Sequence, residues 1–378
     1  MGLMRSEGQT QPVLVLVAPQ EFKASLSADE AAAAIRAGMR KARPAWHFDV
    51  LPISDGGPGF IDALRRAVRA DTAAIVAQDA LGRRVLARYI TIRGTKTAVI
   101  EAAQANGLMH IAPGERDPLR ADTFGVGEII AAALEDWPER IIVGVGGSAT
   151  TDGGTGMARA LGARFVDAAG RELPRGGGGL IELARIEWTR RSALDGVEVL
   201  VATDVTNPLV GPSGAAAVYA PQKGATPEEV ELLEAGLVRY AAALRRALGV
   251  DVANMPGAGA AGGLAAGLVA FLGARIVSGF DVVAETTRLH ERLAAADLIV
   301  TGEGCFDSQS LQGKTTGRVL TLAEAAGKPA VVFAGTAQLP DPRVRTLAAI
   351  EPDPARSQAN AATLLTQLAR DWAQRQDY

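Results

Sequence analysis

Residues able to do chemistry gather at one kind of place in this chain: just after short apolar runs, among glycines. The densest case is Ile141–Gly156, IIVGVGGSATTDGGTG. Ile141–Val143 reads as a buried strand. It empties into a loop holding Gly144, Gly146, Gly147, Gly153, Gly154 and Gly156, with hydroxyls at Ser148, Thr150, Thr151 and Thr155, before a helix pattern at Met157–Leu161. Such a strand, loop and helix can form an anion site. Backbone N–H groups converge where no Cβ blocks approach, and the positive end of the helix favours negative charge. Similar endings carry Lys23, Asp55, Asp152, Asp204, Lys223, Glu303, Asp307 and Lys314. Cations for phosphates, carboxylates for a metal and an acceptor base, and glycine loops are what phosphoryl transfer requires.

Several of these groups also have a plainer reading. Lys23 is either a solvated loop lysine or a cation at the carboxyl end of a strand, where open α/β sheets place ligands. Asp55, in Ser54-Asp-Gly-Gly-Pro-Gly59, is either part of a turn or a carboxylate held over a cleft for Mg²⁺ or a substrate hydroxyl. Lys314 opens a helix as Gly-Lys, which sets an ammonium beside the positive end of the helix dipole and favours a bound anion.

The elements that must position these groups alternate. Val13–Ala18 reads as a strand of a parallel sheet. Ser27-Ala-Asp-Glu30 is a capping box opening an Ala-rich helix to about Ala42. His47–Ile53 is a second strand, followed by a helix through Phe60–Val68. From Thr72 to Ala102 the pattern changes to short β-like runs (Thr72–Val76, Val85–Ile92, Lys96–Glu101) with glycine turns, so a new unit of antiparallel hairpins begins there. Asp122 or Thr123 caps a helix over Gly125–Leu134. Glycines 176–179 form a flexible loop. Val197–Ala202 is a strand leading to Asp204, and Thr226 with Pro227 starts a helix running to about Leu248. Leu298–Thr301 and Ala330–Ala334 are late strands, and a last helix covers roughly Gln358–Gln374.

Composition narrows the partners. The 378 residues are long enough for two domains, and 48% of them are hydrophobic. The net charge of −3 is spread, with no basic stripe and no aromatic-plus-basic cluster, which argues against nucleic acid. A single cysteine, Cys305, excludes an internal disulfide and fits a reducing, cytoplasmic setting. The three histidines are isolated and no metal-ligand spacing exists. Gly257–Ala274 lacks charge, but it is mostly Ala and Gly and reads as a closely packed soluble helix rather than a membrane span.

Two motifs mislead. Gly144-Val-Gly146-Gly-Ser-Ala149 fits the dinucleotide fingerprint, with Asp167 near the spacing of the ribose acid, and would make the protein an NAD-dependent oxidoreductase. Against this, the segment lies mid-chain behind hairpins and continues to Asp152, a carboxylate where a pyrophosphate should sit. Ser308–Thr315 is one glycine short of a P-loop.

Taken together, the segments resemble the bacterial glycerate kinase family, the type with its own two-domain α/β fold. The matching stretches are APQEFKASLSADEAAAAI (18–35), PISDGGPG (52–59), RDPLRADTFGVGE (116–128), IIVGVGGSATTDGGTGMARALGARFVD (141–167), VATDVTNPLVGPSGAAAVYAPQKGAT (201–226), PGAGAAGGLAAGLVAFLGA (256–274) and ADLIVTGEGCFDSQSLQGKTTG (296–317). They span nearly the whole chain in family order.

The resemblance implies ATP-dependent phosphorylation of D-glycerate, usually at the 2-hydroxyl. It implies an α/β fold in which a flavodoxin-like parallel-sheet domain, residues 1–75 and 290–378, holds an inserted mixed α/β domain, residues 76–289, with the site in the cleft between them. Lys23, Ser25, Asp55, Asp204, Glu303, Asp307 and Lys314 fall on family motif positions. The implied roles are ATP and Mg²⁺ as cofactors, with Gly146, Gly147, Ser148 and Asp152 facing phosphate. Lys23 and Lys314 would neutralise the phosphoryl group or the glycerate carboxylate, and Asp204 and Asp307 would share the base and metal roles. Three departures stand out. Ala24 replaces a usual glycine, Pro58 a usual glutamate and Cys305 a usual arginine, so two charges are lost near strand ends. A hydroxyacid sensor without catalysis is the reading those losses motivate. The partner is a small molecule, with no nucleic acid and no membrane, and a homo-oligomer stays open.

Overall fold

In the computed structural model the described residues are 12–22, 25–54, 56–189, 191–311 and 315–376. Apolar runs from both ends of the chain form one all-parallel sheet. Its strands are Leu14–Val17, His47–Val50, Leu298–Phe306, Ala330–Ala337 and Val344–Thr346. Numbered in chain order, they lie 2-1-3-4-5 across the sheet, the flavodoxin-like arrangement. Val15, Leu16 and Val17 are wholly buried, as a strand covered on both faces must be. On one face, Ile35 and Met39 of the helix Ala28–Ala42 pack with Leu365, Ala369 and Ala373 of the helix Ala361–Gln374 over Val15, Val300 and Phe333. The first helix starts at the expected box. Ser27 Oγ accepts from the Glu30 N–H at 3.2 Å, and the Ser27 N–H donates to the Glu30 carboxylate at 2.9 Å.

The second sheet has six strands. From one edge they are Arg275–Val277, Glu198–Ala202, Arg140–Gly144, Thr97–Glu101, Arg84–Ile92 and Ala70–Gln78. The first four run parallel and the last two are the expected antiparallel hairpin. Its core is built around Phe165, Tyr240 and Phe271 with Ile100, Val143 and Val201.

The chain divides into a terminal unit, taking the chain up to Ile53 and from Arg288 onward, and an inserted unit, Ser54–Thr287. The first division thus falls well before residue 75. The helix Phe60–Ala67 belongs to the second sheet: the Ile61 N–H donates to Glu101 at 3.2 Å, at the end of the strand Thr97–Glu101. Local composition around residue 60 carries no trace of that long-range contact.

Other differences are smaller. The strand from Leu298 runs to Phe306 rather than stopping at Thr301. The last helix is interrupted at Asn360, giving Pro354–Ala359 and Ala361–Gln374. The Ala/Gly segment forms a helix over Ala260–Leu272 whose start is left-handed at Ala261, Gly262 and Gly263. Among the described residues no helix is long and apolar enough to cross a membrane.

Candidate functional site

In the terminal unit, the strands Leu14–Val17 and Leu298–Phe306 are parallel neighbours and flank the point where strand order reverses. Open α/β sheets bind ligands outside the carboxyl ends of strands at this point. The chain leaving Val17 is stitched to its neighbour: the Ala18 and Gln20 N–H groups donate to the Val300 and Gly302 carbonyls at 2.7 and 2.8 Å. Thr301 Oγ1 adds a bond to the Ala18 carbonyl at 2.8 Å. Phe22 is buried and bridges Leu26, closing a tight turn. Ser25 completes that turn, its N–H and its hydroxyl both donating to the Phe22 carbonyl at 2.9 Å. Lys23 lies outside the described residues.

The same end of this sheet carries Glu303, buried near the end of the long strand, and half-buried Asp307 just beyond it. Asp307 Oδ1 accepts from the Ser310 N–H at 3.2 Å while the Asp307 N–H donates to Ser310 Oγ at 3.0 Å. This reciprocal cap fixes the aspartate at the head of the short helix Ser308–Leu311. Ser25, Glu303 and Asp307 therefore all lie toward or beyond the carboxyl ends of two neighbouring strands of one sheet. Lys314 lies outside the described residues.

In the inserted unit, the strand Arg140–Gly144 empties into the glycine loop as expected. The glycines serve a different purpose from the one read in the sequence. The Gly146 N–H donates to the Gly56 carbonyl at 3.0 Å, and a Cβ at Gly146 would lie 2.4 Å from Gly57 Cα. Gly147 has φ +71° and leaves room for Pro58, which a Cβ there would meet at 2.8 Å. Two loops thus touch backbone to backbone, and the expectation that the Gly146 N–H helps cradle a phosphate is corrected. Asp55 lies outside the described residues.

Asp152 is also corrected. Its carboxylate is wholly buried and faces no ligand. It accepts from Thr123 N–H and Oγ1 at 3.1 and 2.9 Å, and from the Gly154 and Gly156 N–H groups at 3.1 and 2.8 Å. Three of these donors meet Oδ2 and the Gly154 N–H meets Oδ1, so both carboxylate oxygens are engaged from within the fold. Asp152 is the clasp that ties the start of the helix Thr155–Ala160 to Thr123, at the head of the helix Phe124–Glu135. Burial and the neighbouring Asp122 charge push its carboxyl above the ordinary range, and the donors pull the other way.

The rest of the loop is held from outside. A Cβ at Gly177 would lie 2.2 Å from the Thr151 carbonyl oxygen, and one at Gly262 would lie 2.0 Å from that of Thr150. The supposed flexible glycine loop at 176–179 is thus packed against the chain, and it enters the 3₁₀ turn Gly177–Glu182. Lys223 supplies the last tie. Its Nζ donates to Ser148 Oγ at 3.2 Å and to the Thr150 carbonyl, with the residue only 2% exposed. Burial pulls its ammonium down to about 7, opposed by the charge of Asp152.

Two further carboxylates stand at strand ends of this sheet. Asp204, half-buried beyond the strand Glu198–Ala202, accepts from the Phe280 N–H at 3.1 Å in the first turn of the helix Gly279–Thr286. Glu101, 2% exposed, caps the helix Phe60–Ala67, and burial raises its carboxyl. Sequence reasoning missed Glu101 and gave Lys223 no role beyond its loop. The only signal for either was a charged residue ending an apolar run.

Asp167 is no ribose acid. Oδ1 accepts from the Ala169 and Arg171 N–H groups at 2.8 and 2.9 Å, and Oδ2 from the Arg171 guanidinium at 2.8 Å, all within a turn. Among the described residues no cluster of three or more His, Cys, Asp or Glu side chains has the arrangement of a metal centre.

Comparison with known proteins agrees with the fold. The sequence model of the glycerate kinase family matches residues 15–375. The chain is 43% identical over 324 residues to a glycerate kinase of Halalkalibacterium halodurans, covering 85% of each chain. It is 42% identical over 323 residues to the glycerate 2-kinase of Escherichia coli, again covering 85% of each. Among solved structures, that of a Salmonella typhimurium LT2 protein described as a glycerate kinase 2 aligns over 96% of this chain and 97% of that one, with TM-score 0.78 and 41% identity. A match running from the first strand of the terminal unit to its last helix leaves one assignment: this chain belongs to the glycerate kinase family.

Proposed function

We propose that the protein transfers the γ-phosphoryl group of ATP to D-glycerate, at the 2-hydroxyl, giving 2-phosphoglycerate. The observation that carries this reading is the family match over residues 15–375, joined by a relative named glycerate 2-kinase at 42% identity. In this step the glycerate oxygen bonds to phosphorus, the bond to ADP breaks, and the hydroxyl proton passes to a carboxylate. Asp307 and Asp204 are the carboxylates of choice, since both are partly exposed at the carboxyl ends of parallel strands. Lys23 and Lys314 are the cations the sequence offers for the phosphoryl group or the glycerate carboxylate.

Mg²⁺ is commonly held by one or two carboxylates, with phosphate oxygens and water supplying the rest, and it neutralises charge on the transferring group. The all-oxygen chemistry of Asp307 and Asp204 fits that demand. The Ser148 hydroxyl, at the head of the glycine loop, is the group of the inserted unit best suited to hold an oxyanion.

The test is direct. Protein, Mg²⁺-ATP and D-glycerate are mixed and followed for ADP, and the product is passed to enolase without a mutase, which consumes only the 2-phospho isomer. ADP formation that depends on D-glycerate, with immediate turnover by enolase, is the expected result. No ADP would sink the reading, and a product that enolase ignores would move the phosphoryl group to another hydroxyl. If Asp307→Asn and Asp204→Asn both keep near-full rate, the assignment of those two residues is wrong.

A further inference from the structure

We infer that Lys223 is a positioning residue for the reaction, one that holds the Ser148 hydroxyl as a hydrogen-bond donor for a bound oxyanion. The inference rests on the reading of Ser148 as an anion-binding group. Its basis is the hydrogen-bond accounting at the loop. Ser148 Oγ accepts from Lys223 Nζ at 3.2 Å. That bond occupies a lone pair and leaves the hydroxyl proton to be given elsewhere. Among the described residues no acceptor takes it.

Lys223 itself is 2% exposed and cannot meet a ligand face to face. It makes no ion pair among the described residues; its donated bonds go to Ser148 Oγ and the Thr150 carbonyl, both on this loop. A buried cation without a counter-charge is costly. An oxyanion on the Ser148 hydroxyl would supply that charge at one remove, through a chain of two hydrogen bonds in which each polarises the next. Asp152 on the same loop acts on Lys223 by its charge but without contact, since among the described residues no hydrogen bond or ion pair joins the two.

The chemistry specifies an oxyanion, and two sources present one: the glycerate carboxylate and the ATP phosphates. Four variants of the full chain separate them: Ser148→Ala, Lys223→Met, Lys223→Arg and the double variant Ser148→Ala/Lys223→Met. Each is measured by initial rates with ATP and D-glycerate varied in turn, and by the rise in Tm that each ligand produces. Ser148→Ala and Lys223→Met should each lower kcat/KM by about 10- to 100-fold, the worth of one hydrogen bond to a charged group. The double variant should be no worse than the poorer single one, and Lys223→Arg should recover part of the loss. A KM increase and lost Tm shift for D-glycerate alone assign the carboxylate; the same for ATP alone assign a phosphate.

Losses that multiply in the double variant would overturn the inference, as would Lys223→Met with parental kinetics. If Ser148→Ala is itself silent, the anion reading of the loop fails first, and Lys223 with it. Should Lys223→Met not fold, Lys223→Arg against Ser148→Ala still decides, since an orienting role predicts that Arg retains more activity than the serine deletion does.

Discussion

In the inserted unit, Glu101 and Asp152 are buried carboxylates at the ends of parallel strands or in the loops that follow them, and both hold the first N–H groups of a helix. In the terminal unit, Asp307 occupies the equivalent place after Leu298–Phe306 and also caps a helix, but it is half-buried. Asp204 of the inserted unit resembles Asp307 in this respect. Position after a strand therefore does not separate a structural acid from one proposed to react. Access does: a carboxylate with four internal donors and no exposed surface is part of the frame, whereas one at the rim can meet a substrate.

The sharpest way to break this distinction is Asp152→Ala. It leaves the Thr123, Gly154 and Gly156 N–H groups buried without an acceptor, at about 1–3 kcal/mol each. A loss of roughly 3 kcal/mol or more is expected in denaturant unfolding, and parental stability would erase the distinction. Asp307→Asn and Asp204→Asn should do the opposite. Each is expected to lower kcat/KM by about 10²-fold or more, the usual share of a general base, with midpoints of unfolding nearly unchanged. A third test probes the frame without touching charge. Gly262→Ala forces a Cβ to within 2.0 Å of the Thr150 carbonyl at φ +66°, and should cost about 2 kcal/mol by thermal unfolding.

A fourth test uses pH. The folded-state pKa of Lys223 is lowered to about 7, so between there and the ordinary lysine range the unfolded chain binds the extra proton. The burial penalty is complete below pH 7 and is relieved as pH rises, by up to about 1.4 kcal/mol per pH unit. Lys223→Met should remove that rise, read from denaturant midpoints at a series of pH values. The smallest effect is expected from Ser310→Ala, which deletes one side of the Asp307 cap and should cost about 1 kcal/mol.

What could be read from the sequence was what is decided locally. The box at Ser27–Glu30 and the helix start at Thr226 are both formed, because in each the partners lie three residues apart and need only each other. The hairpin over residues 70–101 was legible for the same reason. The long strand to Phe306 was not. Its Gly302 and Gly304 read as turn residues, yet a Cβ at Gly302 would sit 2.4 Å from the Phe333 carbonyl oxygen, so the glycine marks close approach of a neighbouring strand. Asp152 was misread because a glycine-flanked acid looks alike whether it faces a ligand or a core. Its partner Thr123, and the glycines at 177 and 262 that pack on the neighbouring Thr151 and Thr150, are distant in sequence. Lys223 meets Ser148 across 75 positions, a separation no local pattern encodes.

The order of strands in the terminal sheet has a consequence for synthesis. The strand Leu298–Phe306 lies between Leu14–Val17 and Ala330–Ala337, so the first two strands of the sheet cannot be joined to the rest until the whole inserted unit has left the ribosome. Roughly 250 residues separate Val50 from Leu298, and at about 5–20 residues per second that is a wait of roughly 12–50 s. Throughout that interval the edge of Leu14–Val17 has no strand to pair with on its Leu298–Phe306 side. The inserted unit is complete first, and the terminal unit closes only when translation reaches about the last fifth of the chain. Truncated nascent chains ending near residue 287 should therefore carry a protease-resistant inserted unit on an amino-terminal segment that is still readily cut.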